Sequence, residues 1–430
     1  MKKLILFILI ILLINKLLYS QDCELVRKII NKLASPEMFG RGYTNNGDKL
    51  AASFIRLQFD SLGLPPLTEN YYQHFSFPIN NFDGEISVTI DGKKLVPGYD
   101  YMVAGFSPST KGSFPLVLLD KKTITNPNKL FKFSKQDKKD VFVAYSRNDF
   151  AGIKDKKQKA LADSLRKIIV NSVKGVVILK DEKVSWSASG SKKVGTHPEI
   201  EIEKSKFPAK AQTISLQIEN HYVENYISQN VLAYLPGTVQ PDTFIVFCAH
   251  YDHLGQMGQK VYFPGANDNA SGTAMVIDLA RYFSQPWNRP AYSLAFMAFS
   301  GEEAGLLGSK FYCENPIFPL KNIKLVVNLD MVGTGSEGIG VANGKVYSLV
   351  WEKLNALNKE KNYLNAVFQR GESQGSDHYY FHKNNIPSIF IYTQGKEFTE
   401  YHNLYDVPDK LPLTEYADLF RLLTTYITSL

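Results

Sequence analysis

The segment VFCAHYDHLG, residues 246–255, decides how the rest of the chain is read. It begins as an apolar, β-forming run and breaks into His250, Asp252 and His253 around a tyrosine. Charge at the end of a buried strand is costly unless something pairs with it. A metal ion is one such partner, and other parts of the chain must then supply further ligands.

Outward from this segment, strands and helices alternate. The patterning predicts strands over 231–235, 244–249, 293–299, 323–329, 366–369 and 388–392, and helices over 271–283, 304–312, 345–358, 377–382 and 414–428. Such alternation builds an α/β three-layer mixed sheet with helices on both faces. Ligands then gather beyond the carboxyl ends of the strands. Ahead of this half, 219–430, residues 21–84 read as a helical part of the same domain. Between them, 85–218 changes texture to short strands (EISVTI, PLVLLD, VFVAY, GVVILKD) and one lysine-rich helix over 158–173, the pattern of a β-rich inserted domain. Residues 187–210 are polar and read as an exposed loop.

At 430 residues the chain is long enough for two compact units or one unit with an insertion. Its formal charge is +7, but the lysines crowd between 111 and 210, away from the 246–255 segment. They read as a solvated basic module and not as a nucleic-acid site. Three cysteines, Cys23, Cys248 and Cys313, exclude a disulfide framework, and Cys248 and Cys313 read as small buried residues. The start, MKKLILFILIILLINKLLYSQDC, has two lysines and an apolar run too short for a confident span. It reads as a signal peptide over 1–20, with an uncleaved anchor as the alternative; the expected location is exported (periplasmic, secreted or cell-surface), with membrane contact only if the segment is retained.

Just after successive apolar runs come HYDHLG (250–255), NDNASGTA (267–274), SGEEAGLLGS (300–309), NLDM (328–331) and, further on, YHNLYDVPD (401–409). Five such clusters along one α/β chain are hard to explain as solvated loops. Two imidazoles and three carboxylates, one of them bridging, can hold a pair of divalent ions with positions left for water and substrate. Nitrogen and oxygen ligands without thiolate favour zinc, with manganese or cobalt as alternative occupants. Adjacent Glu302 and Glu303 have diverging side chains, so one can bind metal while the other faces a water. Asp252, two residues past His250 on strand spacing, is placed to accept the imidazole N–H. His253 reads as a structural histidine.

These motifs resemble the M28 family of zinc aminopeptidases, and PEMFGRG (36–42) with the β-rich insertion resembles secreted bacterial members that carry a protease-associated domain. The resemblance implies two zinc ions per chain: His250 and Asp330 on one, Glu303 and His402 on the other, Asp268 bridging. It implies Glu302 as general base, Tyr401 as a stabiliser of the oxyanion, and Asp377 and His378 of GSDHYYF as pocket-lining residues. Asp406 would orient His402 from behind. A cis peptide is implied at Asp252 to His253. The implied substrates are peptides with a free N-terminus. The family's arginine before the SD pair is replaced by Gly375, with Arg370 nearby but not matched, so the group that reads the substrate backbone stays open. Glutaminyl cyclases resemble this fold but generally hold one zinc, and non-catalytic relatives have lost ligands. The intact set with Glu302 argues against both.

Overall fold

The strand Gln240–His250 is apolar on both faces because it lies inside an eight-stranded sheet with helices on either side. The computed structural model describes residues 22–430, and the leader expected at 1–20 falls outside them. Across the sheet the order is Tyr72–Asn81, His221–Leu235, Tyr292–Phe299, Gln240–His250, Ile323–Leu329, Ser388–Gln394, Gly338–Ala342 and Val367–Gln369. The four strands from Tyr292–Phe299 to Ser388–Gln394 run parallel. Along Gln240–His250, Ile245, Phe247 and Ala249 join a core with helices Cys23–Leu33, Gly47–Ser61, Gly272–Ser284 and Tyr416–Thr428. Val246 and Cys248 point the other way, toward Leu307–Glu314 and His378–Lys383. Full burial of a side chain such as Phe247 contributes about 1.5–3 kcal/mol. The expected α/β sheet with helices on both faces is the architecture found. Among the described residues, no helix is long and apolar enough to cross a membrane.

A second eight-stranded sheet is built wholly from strands between Ile86 and Ile218. The chain leaves and re-enters the first sheet through neighbouring strands, with Asn81 opposite Val223's strand-mate His221. One face of the second sheet is covered by Pro127–Ser134 and Lys156–Ser172. The other shares an apolar cluster with Leu254, Met257, Val261 and Phe263, which follow His253 in the chain.

Three local expectations are corrected. Residues 187–210 are not simply an exposed loop: Glu199–Glu203 is a strand between Val173–Lys180 and Tyr101–Val103, with Ile200 and Ile202 buried. The helix expected from 304 begins at Leu307, because Gly301, Gly305 and Leu306 take left-handed φ values of 75°, 113° and 60° that no helix accommodates. The cis peptide lies at Asp268–Asn269 and not at Asp252 to His253.

Candidate metal centre

Parallel register brings the acidic clusters to one edge of the sheet. His250 lies opposite Phe299, so the turn carrying Glu302 and Glu303 follows directly beside it. Cys248 lies opposite Asn328, which sets Asp330 level with His250. Asp268 comes from the irregular stretch Ala266–Ser271 that leads into the helix Gly272–Ser284. It does not cap that helix; Asn269 Oδ1 accepts the Gly272 N–H instead, at 2.9 Å. His402 comes from a loop after the strand Ser388–Gln394.

The side chains converge around Asp268. Its Oδ1 lies 3.4 Å from His250 Nε2, and its Oδ2 lies 3.0 Å from His402 Nε2. On the first side stand Asp330 Oδ1, 3.4 Å from His250 Nε2, and Glu302 Oε2 at 4.0 Å. On the second stands Glu303 Oε2, 3.2 Å from His402 Nε2. His253 Nδ1 lies 2.8 Å from Glu303 Oε1, so this histidine holds the glutamate while its own Nε2 stays unpartnered. Its ligating atoms, with those of Asp268 and Glu303, lie within 4.8 Å of one another, as do those of His250, Glu302 and Asp330.

The supporting bonds differ from the expected ones. His250 Nδ1 meets the backbone carbonyl of Asp252 at 3.1 Å, while the Asp252 carboxylate is 3.8 Å away. That carboxylate instead accepts from the Tyr43 hydroxyl (2.6 Å) and from the N–H groups of Glu302 (3.2 Å) and Glu303 (3.3 Å), fixing the turn. Asp406 accepts from the N–H groups of Asn267 (2.8 Å) and Asp268 (3.0 Å), so it holds the segment of Asp268. His402 Nδ1 faces the carbonyl of Trp186, at 2.9 Å. Ser376 Oγ donates to Asp330 Oδ2 at 2.7 Å. Asp377 and His378, expected to line the pocket, are wholly buried. Tyr401 is about half exposed (49 %) and stacks on His402 with ring centroids 3.8 Å apart.

Arg41, the central residue of GRG, is fully buried, and its guanidinium donates to the carbonyls of Leu33, Tyr251, Pro264 and Gly265 at 2.7–2.8 Å. It pins the loops beneath the site. Burial lowers its pKa to about 10, against the pull of Asp406 and Asp268. An arginine between two glycines was a visible signal for this role. Tyr43 and Trp186 carry no comparable mark in the sequence.

Electrostatics show what the cluster lacks. Burial pulls the His402 imidazole down, but the charge of Glu303 and hydrogen bonds to Asp268 and Glu303 carry it well up. Burial pushes Glu303 up, and the charge of His402 more than reverses it. Burial pushes the Glu302 carboxyl well above the usual range; His250 opposes this, and Glu303 and Asp330 add to it. So many buried carboxylates call for added positive charge. The donor set of imidazole nitrogens and carboxylate oxygens, without a thiolate, fits zinc.

Residues 230–427 match the model of peptidase family M28. That span, a little under half of the chain, is similar to the peptidases of family M28. The M28 region extends into wider similarity: the aminopeptidase YwaD of Bacillus subtilis is 29% identical over 281 residues, 64% of this chain and 58% of its own length. A probable zinc metalloprotease of Pyricularia oryzae is 42% identical over 113 residues, 25% of this chain and 22% of its own. The alignments thus span less than two thirds of these curated relatives. Among solved structures, BSAP, a zinc aminopeptidase from Bacillus subtilis, superposes with a TM-score of 0.69 at 23% identity, covering 96% of this chain and 95% of its own. The fold is therefore shared with that structure over both sheets.

Proposed function

We propose that this protein is a zinc aminopeptidase that removes the N-terminal residue of peptides. The observation that carries this reading is Asp268, whose two oxygens face His250 on one side and His402 on the other. Two zinc ions would be held, one by His250 and Asp330, one by Glu303 and His402, with Asp268 shared. Bound zinc supplies Lewis-acid polarisation of the peptide carbonyl and of the attacking water. Glu302, whose Oε2 lies 4.0 Å from His250 Nε2, would take a proton from the attacking water and pass it to the leaving amine. Asp252 keeps Glu302 and Glu303 on their diverging courses by binding both N–H groups. Tyr401, stacked on His402 at the open rim, offers its hydroxyl to the developing oxyanion. The surplus of carboxylates supports capture of a free α-amino group.

The test is metal content measured with hydrolysis of aminoacyl nitroanilides and their N-acetylated forms. Two zinc ions per chain, and turnover abolished by chelation and by acetylation, are expected. Equal cleavage of acetylated substrates would exclude an aminopeptidase. Export is part of the same proposal: fractionation of cells should find the protein outside the cytoplasm, and a cytoplasmic protein with its first residues intact would refute it.

A further inference from the structure

Trp186 lies in the second sheet's module, between the strands Val173–Lys180 and Glu199–Glu203, yet it shares two hydrogen bonds with His402. Its N–H donates to the His402 carbonyl at 2.8 Å, and its carbonyl meets His402 Nδ1 at 2.9 Å. A carbonyl oxygen can only accept, so Nδ1 carries the proton of this bond. Nε2 is the nitrogen that faces the carboxylates of Asp268 and Glu303, so it is the one that would turn its lone pair to a metal ion held among them. The His402 backbone has φ 53°, a left-handed conformation that is strained for a non-glycine residue. The bond from Trp186 N–H secures the carbonyl of that strained residue.

Trp186 is itself anchored. Its indole N–H donates to Val103 O at 2.6 Å, and its ring stacks on Phe263 with centroids 5.0 Å apart. Nearby, Lys183 pairs with Glu400 at 2.7 Å, joining the same two segments two residues before His402. We infer that the second module is a working part of the metal centre, and that Trp186 is its positioning residue, fixing the tautomer and direction of His402. This rests on the two-ion reading above.

The experiment measures zinc affinity by chelator competition on the full chain, with the visible spectrum of the cobalt-substituted protein, for the parent, Trp186→Phe, Trp186→Ala and the surface control Lys156→Ala. Removal of such a support weakens metal binding by about 10- to 100-fold. Trp186→Ala keeps the backbone groups that meet His402 but removes the indole anchor that places them, so it is expected to weaken one of two sites by up to that factor and alter the cobalt spectrum; Trp186→Phe, which keeps an aromatic ring but not the indole N–H, should do so less, and Lys156→Ala not at all. A folded Trp186→Ala with both affinities and the spectrum unchanged would overturn the inference. If Trp186→Ala does not fold, an unchanged Trp186→Phe overturns it in the same way. A parent that binds fewer than two ions would instead bring down the underlying two-ion reading, and the inference with it.

Discussion

Glu302 and Glu303 are identical in the sequence and differently placed in the site. Glu303 has one oxygen beside His253 and the other beside His402, while Glu302 reaches toward His250. Glu302→Gln should lower turnover by at least the ~10² to 10⁴ of general acid–base catalysis, with zinc content unchanged. Glu303→Gln should lose affinity at one metal position and recover in part with excess zinc. Stoichiometry and turnover measured together check this; the reverse pattern would exchange the two roles. A third carboxyl makes a prediction about pH. Asp48 is buried beneath the Tyr226 and Ser228 hydroxyls, and burial, partly opposed by those bonds, raises its pKa from 3.8 to about 6. The folded state therefore holds this proton more tightly than the unfolded chain. The resulting stabilisation is complete below the unfolded value, and it is lost as pH rises through the folded one. By neutral pH the loss is of the order of 3 kcal/mol. Asp48→Asn should thus gain stability relative to the parent between pH 4 and pH 8. Urea midpoints in constant zinc would read this, and a difference that does not change with pH would refute it.

At the scale of elements, the segment Pro36–Arg41 and the Gly42 that follows lie backbone to backbone against Gly255. A Cβ on Gly42 would stand 2.3 Å from Gly255 Cα, with no flexible side chain to give way. Gly42→Ala should therefore cost about 1–3 kcal/mol, as overpacking does, and lower the melting temperature; an unshifted melt would mean the two loops can part. What was legible in the sequence follows the same division between strands and loops. The ends of parallel strands are marked by where apolar runs stop, so His250, the Glu302 and Glu303 pair and Asp330 could be read as neighbours on one edge. Bonds between loops leave no such mark. That is why the sequence pattern does not reveal the partners of Asp252, Asp406 and His402, since Tyr43, the N–H groups at 267–268 and Trp186 sit at unrelated places along the chain. The strand Glu199–Glu203 was hidden differently: in EIEIE its glutamates outnumber the two isoleucines that the sheet buries.

For the whole molecule, removal of metal should destabilise the fold, because the buried carboxylates would lose their counter-charge. Zinc held at 100 times its dissociation constant stabilises by about 2.7 kcal/mol per site. A chelator should lower the melting temperature, and zinc should restore it; coincident melts would mean that no ion is bound there. Lys156→Ala and Lys157→Ala, on an exposed turn of the second module, should leave turnover within a few fold, since neither side chain is buried against the site. The way this module joins the larger sheet has an evolutionary consequence. Tyr72–Asn81 and His221–Leu235 are paired from Tyr72 opposite Val231 to Asn81 opposite His221. Everything beyond that last pair is, for the larger sheet, one long hairpin turn. Each doubling of such a turn costs only about 0.6 kcal/mol in closure entropy, so recombination could exchange the graft without shifting a single strand register. An ancestor with a plain turn there would have kept the sheet, but it would have had to find another carbonyl oxygen for the histidine at position 402.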